Sequence, residues 1–570
     1  MTGTSRRNKG RARAPKSGML LAATLLLAAS IARGQGAGAQ VDALFAKWSS
    51  HTSPGCAVAV MKDGKVIHEN AYGMADLDHS IPNTPQTVFH AASVSKQFTA
   101  AALLLLVQEG KVSLDAPVRS YIPELPDFGV PLTVRHLLHH TGGLRDQWDL
   151  LEIAGWRYSL DLITDDDVMA LVSRQRALNF SPGSRFSYSN TGYTLLAQIV
   201  RRVSGESLRD FTNRRIFGPL EMRRTHFRDD HAEIVPGMAY GYARRGETFK
   251  LSVTNFDTVG ATSLLTTVGD LARWDENFYS ARVGGASLIT WMQERGVLNN
   301  GTPLVYAAGL RVDRYRGLRT VTHGGADAGY RSALVRFPDQ HFGVACLCNI
   351  AEANPSDLAM KIADIYLAGK FADKPGPATS VKTMNTTVPA ATLTSDAGTY
   401  VERNGNGALH AAARGGSLFM TVSVDEDEVP LTPLGNERYG TDHPDVTVEF
   451  AGEGAGTVRS VSITDSDDPV KIFDRVPDYA PTAAQLTEYA GVYNSDELDV
   501  RYRVTFDHGR AVLSSMKLKS IALEPFAPNV FRALGFGSVR FLRDSAGRVS
   551  GFLVDTHRVE NLRFSRVRAD

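Results

Sequence analysis

Two hydrophobic rhythms run through the first part of the chain. Residues 57–61 and 65–69 read as strands flanking Lys62-Asp63-Gly64, where Asp-Gly marks a tight hairpin. Helical patterns follow at 94–109, 165–174, 193–203 and 208–216. The first of these is apolar on all sides over 100–107 and stops at Gly110, the pattern of a helix buried all round. Strand patterns return at 318–322, 331–337 and 342–350, with Pro338-Asp339 turning the chain between the last two, and 355–367 reads as a helix. Strands at both ends with helices between predict an α+β unit over residues 40–371. It is one antiparallel sheet flanked by helices and assembled from chain-distant pieces.

Residues 372–392 are rich in Pro, Thr, Ala and Lys, lack apolar periodicity, and read as a linker. Beyond them the sequence repeats itself. Ala397-Gly398-Thr399-Tyr400 matches Ala490-Gly491-Val492-Tyr493 at an offset of 93, and three later matches share an offset of 91. These are Val448-Glu449-Phe450 with Val539-Arg540-Phe541, 455–458 with 546–549, and Phe473-Asp474-Arg475-Val476 with Phe564-Ser565-Arg566-Val567. Four matches in order predict two small antiparallel β-barrel domains, 393–478 and 479–570.

Charge changes the reading of the N-terminus. Residues 1–18 carry six basic side chains and no acidic one, 19–32 are uncharged and mostly apolar, and Ala37-Gly38-Ala39 closes the stretch. This predicts a signal peptide over 1–39, cleaved after Ala39, and a periplasmic or secreted protein. Fourteen helical residues would reach about 21 Å, short of a hydrocarbon core of roughly 30 Å. No later apolar run reaches about 18 residues, so no integral membrane segment is expected in the mature chain. Removing the seven basic residues of 1–39 from the 62 leaves 55 against 61 acidic ones, a formal charge of −6. Such a balance gives no electrostatic reason for a nucleic-acid partner. Cys56, Cys346 and Cys348 leave one thiol odd in any pairing and read as buried free thiols. The oligomeric state stays open.

Three short elements could carry chemistry. In Ser93-Val94-Ser95-Lys96 the lysine follows the serine by three residues at the start of the buried helix. That spacing puts both on one face, where a neutral buried amine could take the serine proton. Ser93 as a plain helix cap, with Lys96 solvated, fits the same spacing. Ser514-Ser515-Met516-Lys517 repeats it inside an expected barrel strand, where serine and lysine would face opposite sides. Second, Tyr188-Ser189-Asn190 offers a phenol and an amide after Pro182-Gly183; a core tyrosine beside a turn is the alternative. Third, His323-Gly324-Gly325-Ala326 closes the strand 318–322, where glycines would allow a substrate close to the backbone and the histidine could equally be structural. No His-Glu-x-x-His or Cys-x-x-Cys pattern supports a metal, and no cofactor is expected.

In this order the three elements resemble the serine β-lactamase and penicillin-binding-protein superfamily, in its class C β-lactamase, DD-peptidase, D-aminopeptidase and esterase branch. Leu137-Leu138-His139-His140-Thr141-Gly142-Gly143-Leu144 and Ile216-Phe217-Gly218-Pro219-Leu220 add to the resemblance. It implies an acyl-enzyme on Ser93, with Lys96 as base assisted by Tyr188, and an oxyanion hole from the N–H groups of Ser93 and Ala326. Asn190 would bind the substrate amide, with His323, Gly324 and Gly325 lining the substrate strand. The Tyr188 phenolate would be favoured by Lys96. His323 stands where class C β-lactamases hold a lysine for the substrate carboxylate, which makes a fixed positive charge there less secure. The implied partner is a small-molecule or peptide substrate. Hydrolysis of an amide or peptide, one containing a D-amino acid first in line, ranks ahead of ester hydrolysis and of β-lactamase or DD-carboxypeptidase activity. A cell-envelope binding protein with a vestigial site is the non-enzymatic alternative. The pocket walls are expected from loops such as 145–164 and from a barrel loop.

Overall fold

The computed structural model describes residues 1–3, 36–372 and 388–567, other than 404, 406, 423–427, 436, 442–445, 453–458, 465–469, 508 and 519. Most of the expected signal peptide and linker, and the repeat match at 455–458, lie outside these residues. The mixed α and β layers form around a six-stranded antiparallel sheet made of β1 (Cys56–Lys62), β2 (Lys65–Tyr72), β3 (Arg311–Tyr315), β4 (Leu318–Asp327), β5 (Tyr330–Phe337) and β6 (Phe342–Cys348). Their order in space is β3-β4-β5-β6-β1-β2. The N-terminal hairpin is therefore closed against the last strand of the unit, with Ala59 opposite Ala345 in the β1–β6 register.

Period-two alternation gives each strand two apolar faces. On β1, Ala57, Ala59 and Met61 pack into one core with the helices α1 (Ser95–Gln108) and α2 (Val268–Ser280). Cys56, Val58 and Val60 pack into the other, against α3 (Pro355–Tyr366) and the side chains of Val41 and Phe45. Helix α1 is buried from Ser95 through Leu106, as its all-round apolar sequence requires, and ends before Gly110 at φ +68°.

Several sequence expectations change. Strand β4 does not end at Thr322 but runs to Asp327, so His323-Gly324-Gly325-Ala326 lies within a ladder in which Gly325 faces Ser332. The helix read at 208–216 stops at Thr212 and widens into a π-turn over Asn213–Phe217. Cys56 and Cys348 form a disulfide, leaving Cys346 as a buried free thiol. The two bonded cysteines are directly opposite in the β1–β6 register, a pairing that spacing along the chain could not show. Ser514 ends the strand Arg510–Ser514, and residues 515–518 turn away from it rather than continuing a strand. The helix Ala390–Asp396 takes up the end of the stretch read as linker.

The repeat folds as two closed eight-stranded antiparallel barrels with the same internal wiring. In the first, the Tyr400 hydroxyl donates to the Asp396 carbonyl and Arg475 donates to the Ala397 carbonyl. In the second, Tyr493 donates to the Tyr489 carbonyl and Arg566 to the Ala490 carbonyl. The second barrel does not stand apart from the helical unit. Its Leu486, Tyr502 and Leu513 belong to the same continuous apolar core, and the Tyr502 hydroxyl donates to the Ile153 carbonyl at 2.7 Å.

Candidate active site

Ser93 sits on a single 3₁₀ turn, Ala92–Val94, that feeds directly into α1. Ala92 holds a left-handed φ of +47°, a strained conformation for a residue with a Cβ. Ser95 secures the turn: its hydroxyl donates to the Ala92 carbonyl and accepts from the Leu264 N–H. The result turns the Ser93 side chain away from the core helix while Lys96, one turn on, stays fully buried.

The Lys96 amine lies 3.0 Å from Ser93 Oγ, 2.8 Å from Asn190 Oδ1 and 2.8 Å from the Ala261 carbonyl. Burial pulls its pKa down to about 7, against the opposing charges of Asp327 and Asp146, and the Arg558 cation pulls it the same way as burial. A neutral amine has two N–H groups, and the two carbonyl oxygens use both. Its lone pair is then left for the Ser93 hydroxyl.

Asn190 starts the helix α4 (Asn190–Ser204). Its Nδ2 and backbone N–H both donate to Asp146 Oδ2, at 2.9 and 2.6 Å, so the amide is locked with its oxygen toward Lys96. Tyr188 precedes it on the segment that packs over His140, with ring centroids 4.3 Å apart. The His140 Nδ1 accepts from the Ser189 N–H, which links the Leu137–Leu144 motif to the position of the tyrosine. Tyr188 hydrogen-bonds Ser93, and Lys96 Nζ is 4.8 Å from the centre of its ring. Burial nevertheless pushes the phenol well above its ordinary pKa. The expectation of a favoured phenolate is therefore corrected: desolvation of the ring outweighs the stabilising contacts.

On the opposite wall, a Cβ built on Gly325 would lie 2.4 Å from Ser332 Oγ, 2.6 Å from the Ala91 carbonyl and 2.9 Å from the Ser93 nitrogen. This approach requires glycine and presses the Gly325-Ala326 stretch of β4 against the serine turn. Ser93, Lys96, Tyr188, Asn190, His323, Gly324, Gly325 and Ala326 thus converge, and all but the buried Lys96 line one cavity of about 570 Å³.

His323 is held in a way the sequence did not show. Its Nδ1 contacts the Gly324 carbonyl at 2.6 Å, which can only accept, so Nδ1 carries the proton. Its Nε2, 3.0 Å from the Tyr306 hydroxyl, is then the acceptor. Burial and the neighbouring Lys96 bring its pKa down to about 3. The ring is neutral with both nitrogens committed, and it offers no N–H to a substrate carboxylate.

Four further groups escaped the sequence reading. Asp327, one residue past the Gly-Gly-Ala stretch, is buried in the cavity wall. Its Oδ1 accepts from Tyr158 at 2.5 Å and its Oδ2 from His90 at 2.8 Å and from Thr262. Tyr158 and Trp148 come from the 145–164 loop region and line the cavity. The fourth group, Arg558, comes from the second barrel. Its guanidinium carbon stands 5.2 Å above the Tyr188 ring centroid. No local signal in His557-Arg558 marks it, because the loop reaches the site only through tertiary packing.

The sequence matches the Beta-lactamase family over residues 37–369. The chain belongs to that family. Within it, residues of this chain are 30% identical over 326 positions to a D-aminopeptidase of Brucella canis, covering 56% of this chain and 60% of the relative. This chain thus spans under two thirds of the length of that relative. A D-aminopeptidase of Gluconobacter oxydans is 28% identical over 463 positions, 81% of this chain and 82% of its own, so the likeness extends into the barrels. Among solved structures, an octameric penicillin-binding protein homologue from Pyrococcus abyssi shares the fold with a TM-score of 0.53 at 24% identity, over 74% of this chain and 96% of its own. SurE does so with a TM-score of 0.52 at 22% identity, over 79% and 100%.

Proposed function

We propose that the protein is an exported serine hydrolase that cleaves an amide or peptide through an acyl-enzyme on Ser93. The observation that carries this reading is the Lys96 amine, depressed to about 7 and 3.0 Å from Ser93 Oγ with both its N–H groups spent on carbonyl oxygens. Near neutral pH such an amine accepts the serine proton as Oγ adds to the carbonyl carbon. The N–H groups of Ser93 and Ala326 then stabilise the oxyanion. Collapse of the intermediate breaks the C–N bond. The neutral Tyr188 phenol donates its proton to the leaving nitrogen and is re-protonated by the Lys96 ammonium. Water attacks the ester carbonyl in the second half, again with Lys96 as the base, and releases the acid and free Ser93.

The D-aminopeptidase relatives support an amide substrate and one with a D-residue. The Cys56–Cys348 disulfide supports an oxidising compartment, in keeping with the basic and apolar leader. Mass spectrometry after exposure to a fluorophosphonate or a penicillin tests the reading. One adduct on Ser93 is expected, absent from a folded Ser93→Ala variant; an unmodified wild type across several acylating probes would point to a binding protein. Relative turnover of D-alanyl p-nitroanilide, p-nitrophenyl butyrate and a chromogenic cephalosporin then ranks amide, ester and lactam. A preference for the butyrate by orders of magnitude would displace the amide reading.

A further inference from the structure

The second barrel delivers one cation into the cavity and secures its position. Arg558 lies on the turn between the strands Val549–Asp555 and Leu562–Arg566. That turn is hydrogen-bonded to the catalytic unit through Thr556, Arg558, Glu560 and Asn561. Thr556 Oγ1 and the Arg558 N–H donate to Asp149, at 2.5 and 3.2 Å. The Arg558 carbonyl accepts from the Asn179 side chain at 2.9 Å and from the Asp146 N–H at 3.2 Å. The Glu560 N–H donates to Asn179 Oδ1 at 2.8 Å, and Arg145 donates to the Glu560 and Asn561 carbonyls.

The backbone of Arg558 is thus fully engaged while its side chain is not. Among the described residues its guanidinium donates no hydrogen bond and forms no ion pair; it rests on the Tyr188 ring and lines the cavity. Among the described residues that line the cavity Asp327 is the only carboxylate, and both its oxygens are taken by Tyr158, His90 and Thr262; Asp146 and Asp149 act on Arg558 from outside that lining. His323, which stands where class C β-lactamases hold a lysine for the substrate carboxylate, is neutral with both ring nitrogens occupied. A substrate ammonium entering here meets an unpaired guanidinium and, among the lining residues, no carboxylate oxygen without a donor. A substrate anion meets five fixed donors in a planar fork.

Resting on the acyl-transfer reading of the site, we propose that Arg558 is a specificity residue that binds a carboxylate on the acyl donor, so that the substrate class is carboxylate-bearing amides and peptides rather than those with a free amino group beside the scissile bond. The chain would then differ in substrate charge from an enzyme working on a free N-terminus, although it keeps the same catalytic groups.

The test compares kcat/KM for N-succinyl-, N-acetyl- and free-amino-D-alanyl p-nitroanilide in the full-length wild type, Arg558→Gln and Arg558→Glu. Ratios within each protein cancel any general loss of activity. The wild type is expected to favour the succinyl over the acetyl compound by about tenfold or more, and the free amine least. In Arg558→Gln the succinyl-to-acetyl ratio should fall to about one, and in Arg558→Glu the order should reverse in favour of the free amine. A wild type that favours the free amine, or ratios unmoved by Arg558→Gln, would overturn the proposal. If no anilide is hydrolysed the amide reading fails separately. The same ratio, measured with p-nitrophenyl hemisuccinate against p-nitrophenyl butyrate, then decides the role of Arg558.

Discussion

A lysine with no solvent around it and two carbonyls on its amine is a base near neutral pH, and this is where the chemistry of the site begins. Lys96→Ala should lower kcat/KM by about a thousandfold or more, since the serine would lose its proton acceptor. Lys96→Arg should be no better, because a guanidinium does not give up its proton. In the proposed mechanism Tyr188 feeds the leaving group its proton, so Tyr188→Phe should cost about a hundredfold or more on an anilide. It should cost less on a p-nitrophenyl ester, whose leaving group needs no proton; steady-state rates on both substrates check the difference. Ser93, Lys96, Tyr188 and Asn190 were legible as residue types in order. The protonation states were not, because they depend on groups contributed from elsewhere. The neutrality of His323 is set by burial and by Lys96, and that of Tyr188 by burial, which outweighs the opposing charge of Arg558.

The elements that carry these side chains are held by close backbone approach. Gly325→Ala would drive a Cβ into the Ala91 carbonyl and the Ser93 nitrogen. It should reduce Ser93 acylation by about tenfold or more while the thermal transition falls by only a few degrees, as paired labelling and melting experiments would show. Hydrophobic alternation marked five of the six strands of the central sheet near their observed places and missed the edge strand β3. It underestimated β4, whose last five residues include two glycines that would weaken a strand if nothing pressed on them. Here Ser332 and the serine turn supply that pressure. The strained Ala92 has no sequence signature, since alanine is not a residue whose presence signals a left-handed backbone.

The catalytic unit and the second barrel are joined by buried charge as well as by a shared core. Arg145 pairs with Glu497 at 2.6 Å with both side chains nearly inaccessible, and the same guanidinium holds the 556–561 turn. Arg145→Ala would leave Glu497 buried without its partner, an expected loss of ~3–5 kcal/mol in denaturant unfolding. It should also weaken the succinyl preference by loosening Arg558. Cys56→Ser with Cys348→Ser should cost about 2–5 kcal/mol, read as a lower melting temperature that wild-type protein reaches only after reduction. The repeat made both barrels readable, because its matching residues are those that wire each barrel together. Nothing in the sequence could show which barrel docks on the site, since that depends on side chains hundreds of residues apart meeting in one core.

The most direct test of the account is the pH dependence of Ser93 acylation, followed by stopped-flow or quenched mass spectrometry with a neutral fluorophosphonate. The amine must be unprotonated to act, so the rate should be low in acid, rise through a single limb with a midpoint near 7 and stay level above it. In Arg558→Gln the midpoint should move upward, because a cation that disfavours the Lys96 ammonium is gone. A midpoint at the ordinary lysine value, a rate that does not change between pH 5 and 9, or an adduct on any residue other than Ser93 would contradict the account.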